Sequence, residues 1–425
     1  MKNPGPGLLL ALFATSLAPA GWSAPQAASG QESEAPARIG RIEALLAAHR
    51  DKFASVVERG RDLRLQILLG EVRETEAGPE LVQNSYRLDA EYFYPASTIK
   101  LVAAITALER LNDLRRTTAP KFNERTPLAF HPLFKGEVLE ATDESNVDGG
   151  VITLEHLIRK ALIVSDNAAY NRLYDFCGQE WLNQRAWRAG LRDAKLSHRL
   201  SVTRTQVDNK RTCAIELRFD DEPIVVDARW SNVGELGVIG PKGVYVGKAH
   251  RDRSGEVDKP MSFFHKSYLP LRDMQLALAR VVRPDLVKLP GELFDITDEQ
   301  RALLADALSV YPGDSKNPVW SREQYPDEYA KFFLTGVTRV LPKESVRIYN
   351  KVGLAYGFVT DNAYIVDTTS GKGFFLAMTM YANSDEVLND DKYDYETVAF
   401  PFFADFAEVV ARDIWAKPAS QEKKQ

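Results

Sequence analysis

Ser97 opens the segment Ser97-Thr98-Ile99-Lys100, just after Pro95 and just before the apolar run LVAAITALERLN. Residues three apart share a face of an α-helix, so this spacing predicts a lysine amine beside a serine hydroxyl at a helix start. A serine is a weak nucleophile until a neighbour takes its proton, and a desolvated lysine can do so. The helix N-terminus adds free N–H groups where an oxyanion would form. About one or two such Ser-x-x-Lys strings are expected by chance in a chain this long, and Ser420 with Lys423 in the polar tail is one. What singles out Ser97 is the helix start and the residues further along.

Ser165-Asp166-Asn167 interrupts two apolar helical stretches in LIRKALIVSDNAAYNRLY. All three residues favour helix N-caps, so a cap is the plain reading. The chemical reading gives Ser165 a proton relay to a leaving nitrogen. Asn167 would hold a substrate carbonyl and fix the lysine. Lys351-Val352-Gly353 lies where Val346, Ile348 and Val352 alternate with polar residues, which predicts a strand. Apolar runs at 362–366 and 374–380 extend it into an antiparallel meander. A strand lysine is usually a solvated edge charge. Here Lys351 would bring positive charge to the site, and the backbone after Gly353, with the Leu354 N–H, would complete an oxyanion hole.

In this order the three elements resemble the penicillin-recognising serine hydrolases, the superfamily of serine β-lactamases and D,D-peptidases with Ser-x-x-Lys, Ser-Asp-Asn and Lys-Thr-Gly motifs. The class A β-lactamase type is most similar. The resemblance runs from about residue 40 to about 416. It covers an N-terminal helix at 41–59, strands at 63–72 and 81–88, the Ser97 helix, a helical region and a helix opening at Leu271. Three C-terminal strands and a final helix near 395–415 complete it. It implies an α/β (α+β) fold, an antiparallel sheet flanked by helices beside an α-helical lobe. It also implies that Ser97 is the acylated nucleophile, Lys100 its proton acceptor, Ser165 the proton shuttle and Asn167 the ligand of the substrate amide. Lys351 becomes the electrostatic partner of Ser165 and of a substrate carboxylate.

The departures are equally specific. Val352 stands where the family carries a hydroxyl that binds a carboxylate, a loss of about 1.5–3 kcal/mol. The loop expected to bring the deacylating glutamate, near Leu196–Arg204, reads LSHRLSVTR and has no acid. His198 is an alternative base there, though a loop histidine is more often a surface residue. The chain between Asn167 and Lys351 is longer than the class A pattern needs. The excess, mainly 205–260, contains short β-branched runs bounded by Asp220-Asp221, Gly234 and Gly240-Pro241. It predicts an inserted β-rich subdomain beside the site, either a surface decoration or a rim that selects substrate.

Composition bounds the rest. A net charge of −5 with 44% hydrophobic residues offers a core and no basic patch for nucleic acid. The six histidines are scattered without zinc spacing, so neither a metal nor another cofactor is expected. Lys2, the apolar run 8–17 and Ala18-Pro19-Ala20 read as a secretory signal over 1–20, too short for a comfortable membrane span. A flexible lead-in at 21–37 and a polar tail at 417–425 flank the domain at 38–416. A secreted or periplasmic location would permit a Cys177–Cys213 bond, and two buried thiols are an equal alternative. The reading is thus an exported serine hydrolase working through a Ser97 acyl-enzyme, with cleavage of a β-lactam as the leading activity. A D,D-peptidase or esterase on the same machinery is one alternative. A sensor of β-lactams or peptidoglycan-like peptides that stays acylated is another.

Overall fold

The sequence alternation at 346–381 produces three long antiparallel strands, Val346–Ala355, Phe358–Asp367 and Gly373–Tyr381. In the computed structural model, which describes residues 40–220, 222–238 and 240–416, they continue into two N-terminal strands, Gln66–Arg73 and Glu80–Tyr86. The five form one antiparallel sheet in which Val346–Ala355 is an edge strand and Gln66–Arg73 pairs with Gly373–Tyr381. The expected signal at 1–20, the lead-in at 21–37 and the polar tail at 417–425 lie outside the described residues.

Successive side chains of a strand point to opposite faces, and here both faces are buried. Ile67, Leu69, Phe374, Leu376 and Met378 pack against the N-terminal helices and the final helix, with Phe53, Phe402 and Phe406 at the centre. Leu68, Phe375, Ala377 and Tyr381 face the helical lobe. The stretch expected as one helix at 41–59 is two, Arg41–Ala48 and Arg50–Val57, broken at His49. The final helix begins with a wide turn at Tyr395–Ala399 and proceeds as Phe400–Trp415. Pro401 sits in its first turn, where its missing N–H costs nothing.

The lobe is built around Ile99–Thr117, buried almost all round, as expected for a helix with apolar residues on every side. Leu154–Ile163, Asn167–Cys177 and Leu271–Val282 pack with it. Asp166 caps Asn167–Cys177 by accepting the Ala169 N–H at 2.7 Å. Thus the cap reading of the triplet holds at Asp166. The two cysteines are free, buried thiols.

The inserted segment does not close into a subdomain of its own. Ile215–Leu217 and Ile224–Val226 make a three-stranded sheet only with Leu128–Phe130 from the lobe. Ala249–Asp252 pairs with Val387–Leu388 as well as with Gly255–Val257. Strands this short cannot cover a core, so they borrow partners from the body. Arg64 fastens the insertion further, donating to the carbonyls of Tyr92 and Gly243.

Candidate active site

Ser97, Ser165 and Asn167 sit where helices begin, Lys100 lies in the first turn of the long helix, and Lys351 lies within the edge strand. Ala96, Ser97 and Thr98 form a tight 3₁₀ turn ahead of the long helix, closed by Thr98 N–H and Oγ1 on the Pro95 carbonyl. Ala96 has φ of 46° and Ser165 φ of 60°, left-handed backbone that ordinary residues adopt at some cost. Both strained positions lie at the site.

Lys100 is fully buried and donates to three oxygens: the Ser165 carbonyl, Ser165 Oγ at 3.2 Å and Asn167 Oδ1 at 2.7 Å. Lys351 Nζ reaches the same Ser165 hydroxyl at 2.8 Å and the Val352 carbonyl at 3.0 Å. One hydroxyl therefore joins two lysines. Burial depresses Lys100 far below the ordinary lysine range, the Lys351 charge depresses it further, and Asp166 opposes. Burial likewise brings Lys351 down to about 7, with Asp361 raising it and Lys331 lowering it. Two lysines depressed in one site, one of them by the other's charge, are the arrangement that a base and an electrostatic partner require.

Ser97, Asn167 and Leu354 line one cavity of about 480 Å³, with Leu200, Ser201 and Tyr356. Ser97 Oγ makes no hydrogen bond within the protein among the described residues. Leu354 is on the edge strand, where half of the N–H groups have no sheet partner. Gly353 brings that strand against the nucleophile turn: a Cβ there would lie 2.3 Å from the Pro95 carbonyl oxygen. Gly353→Ala is therefore expected to part the two elements and slow Ser97 acylation about 100-fold, as a displacement of order 1 Å can. Pre-steady-state acylation rates of the folded variant check this. Val352, at 5% exposure, brings no hydroxyl to this register.

Several residues that the motifs did not reveal complete the site. Asn171, one turn after Asn167, accepts the Leu200 N–H at 2.8 Å and donates to the Leu200 carbonyl at 2.9 Å. Its i+4 spacing was the available signal. It thereby pins the loop that was expected to bring a base, and the loop presents Leu200 and Ser201. Asn167 Nδ2 donates to Ser201 Oγ at 2.7 Å. His198 does not line the Ser97 cavity. Its ring stacks on Tyr94, its Nδ1 bonds the Arg199 carbonyl at 2.8 Å, and burial pushes it down to about 4. Behind Lys351, Asn350 Nδ2 donates to Asp361 Oδ1, and Asn350 Oδ1 accepts from Lys331 Nζ at 2.9 Å. The run Thr360-Asp361-Asn362 in an otherwise apolar strand was the trace of this buried polar layer. Among the described residues no group of three or more His, Cys, Asp or Glu side chains is placed to hold a metal ion.

The α+β fold thus brings two buried lysines to one bridging serine hydroxyl, and one of them, Lys100, also bonds Asn167, a wall of the Ser97 cavity. Residues 78–218, which hold Ser97, Lys100 and Ser165–Asn167, match the β-lactamase enzyme family. The match ends at residue 218, so Lys351 and the three C-terminal strands lie outside it. No curated protein matches the sequence. Similar solved structures include the β-lactamase of Desulfarculus baarsii DSM 2075, 19% identical with a TM-score of 0.48 over 88% of this chain and 98% of that one. The β-lactamase of Sphaerobacter thermophilus DSM 20745 is 15% identical, TM-score 0.48, over 88% and 98%. The class A β-lactamase of Clostridium kluyveri DSM 555 is 15% identical, TM-score 0.46, over 87% and 100%.

Proposed function

We propose that this is an exported serine hydrolase whose Ser97 opens the cyclic amide of a β-lactam through an acyl-enzyme. The observation that carries the reading is the bridge from Lys100 through Ser165 Oγ to Lys351, set beside the Ser97 cavity. In the forward step Lys100 takes the proton of Ser97 Oγ as that oxygen bonds to the carbonyl carbon. The tetrahedral oxyanion rests on the Ser97 and Leu354 N–H groups. The C–N bond then breaks, and the leaving nitrogen takes its proton from Ser165 Oγ, which is resupplied by Lys100. Lys351 holds Ser165 and attracts the substrate carboxylate. Water finally cleaves the ester. The secretory pattern at 1–20 supports export.

A second reading is favoured by Leu200, because the loop offers no carboxylate for the final step. On that reading the acyl-enzyme is long-lived, as in a D,D-peptidase, an esterase or a sensor for which penicillin is a trap. Intact-protein mass followed against time after mixing with benzylpenicillin separates the two. An adduct that forms and clears, with hydrolysed penicillin accumulating, is the expected result for turnover. A persistent adduct selects the second reading, and no adduct removes β-lactams as substrates.

A further inference from the structure

The Ser97 cavity adjoins a larger one of about 760 Å³, and the two share Tyr94, Leu200, Ser201, Tyr356 and Asn389 as walls. The larger cavity lies between the loop pinned by Asn171 and the inserted segment, which contributes Trp230, Glu235 and Leu236. A bicyclic β-lactam core needs no such volume. Asn167, which holds the substrate amide in the proposed mechanism, lines the smaller cavity, while Ser165 and Lys351, which serve the leaving group in it, line neither, so on that mechanism the space is on the acyl side of the scissile bond.

Its polar groups have a definite sense. Arg199 is paired with Asp175, Arg204 with Glu137, and His265 lies 3.6 Å from Glu235. Lys210 and Lys266 have no acidic partner among the described residues. Lys210 Nζ donates only to the Val233 carbonyl at 3.0 Å, and Lys266 Nζ lies 5.5 Å from the centre of the Tyr356 ring, a wall common to both cavities. His198 adds an acceptor. Its Nδ1 faces a carbonyl and so carries the proton, which leaves Nε2 a lone pair, buried and without a partner in the protein.

We infer that this cavity is a second substrate subsite, taking an elongated acyl chain that carries an N–H donor and ends in an anionic group, with Lys266 and Lys210 as its selectors. The inference rests on Ser97 acylation and says which substrates reach it. A deletion of 205–260 would strip partner strands from the body, so point substitutions are the proper test.

The probes are two p-nitrophenyl esters of one chain, N-succinyl-diglycine with its free carboxylate and the neutral succinamoyl counterpart. The p-nitrophenyl ester of N-acetylglycine, too short for the subsite, is the control. The wild type should acylate with the carboxylate ester about tenfold faster than with its neutral twin, the discrimination of one charged hydrogen bond. Lys210→Met with Lys266→Met should bring that ratio to about one, and Lys266→Glu should reverse it. Equal rates for the twins in the wild type, or a ratio indifferent to these substitutions, would overturn the subsite while the short ester still labels Ser97. Failure of all three esters to label Ser97 would overturn the acylation reading and the subsite with it.

Discussion

Ser97→Ala should abolish covalent labelling by penicillins and activated esters, a loss of at least about 10⁴-fold in acylation rate, because the proposed mechanism forms its ester on that hydroxyl alone. Lys100→Met should keep the nucleophile but slow its acylation by about 10²–10⁴-fold, the usual worth of a positioned base. The pH profile discriminates this from a packing effect. In the proposed mechanism Lys100 acts as a neutral amine, so activity should rise with pH through its depressed pKa. In the same mechanism Lys351 acts as a cation, so activity should fall as pH climbs through about 7. The wild type should thus show a bell, and Lys351→Arg should lose the alkaline limb, since arginine keeps its charge. Stopped-flow acylation at constant ionic strength reads both limbs. Labelling of the Ser97→Ala variant would take the nucleophile role away from that residue, and a flat profile would separate the lysines from the chemistry.

What the sequence disclosed and what it withheld follow from the range of the interactions. The Ser97 turn, the capped triplet and the lysine strand are local patterns: helical spacing, cap preference and alternation place them within a residue or two of where they lie. The distances between them were not legible. That Lys100 bonds Ser165 and Asn167 depends on 65 and 67 positions of intervening chain. The break at His49 escaped because its flanks are both helical by pattern, and the backbone there leaves the helical region with φ of −122° and ψ of 43°. The insertion was legible as β-rich, but not its pairing. Strands of two to four residues carry too little pattern to name their partners, and Val387–Leu388 lies far along the chain from Ala249–Asp252. The Lys331–Asn350–Asp361 layer was hidden for another reason. A buried charge is costly alone, so it persists only with partners brought by tertiary contact, and those appear when the sheet and the segment at 330–332 are seen together.

The loop position held by Leu200 carries the largest expected gain. Asn171 fixes both backbone groups of Leu200, and the side chain lines the Ser97 cavity at 7% exposure. A carboxylate placed there would be held in register beside the ester and partly desolvated, which raises its pKa and strengthens it as a base toward water. Leu200→Glu should therefore shorten the life of the penicillin adduct by about 10²–10⁴-fold. Leu200→Gln, with the same shape and no basicity, should leave the lifetime near that of the wild type. The adduct decay of the three proteins, followed by mass after removal of free penicillin, is the measurement. If the glutamate and glutamine variants clear their adducts alike, the barrier to deacylation lies in water access rather than in the missing base. The cavity wall at Ser201 and Tyr356, rather than the chemistry of the loop, would then set the fate of the acyl-enzyme.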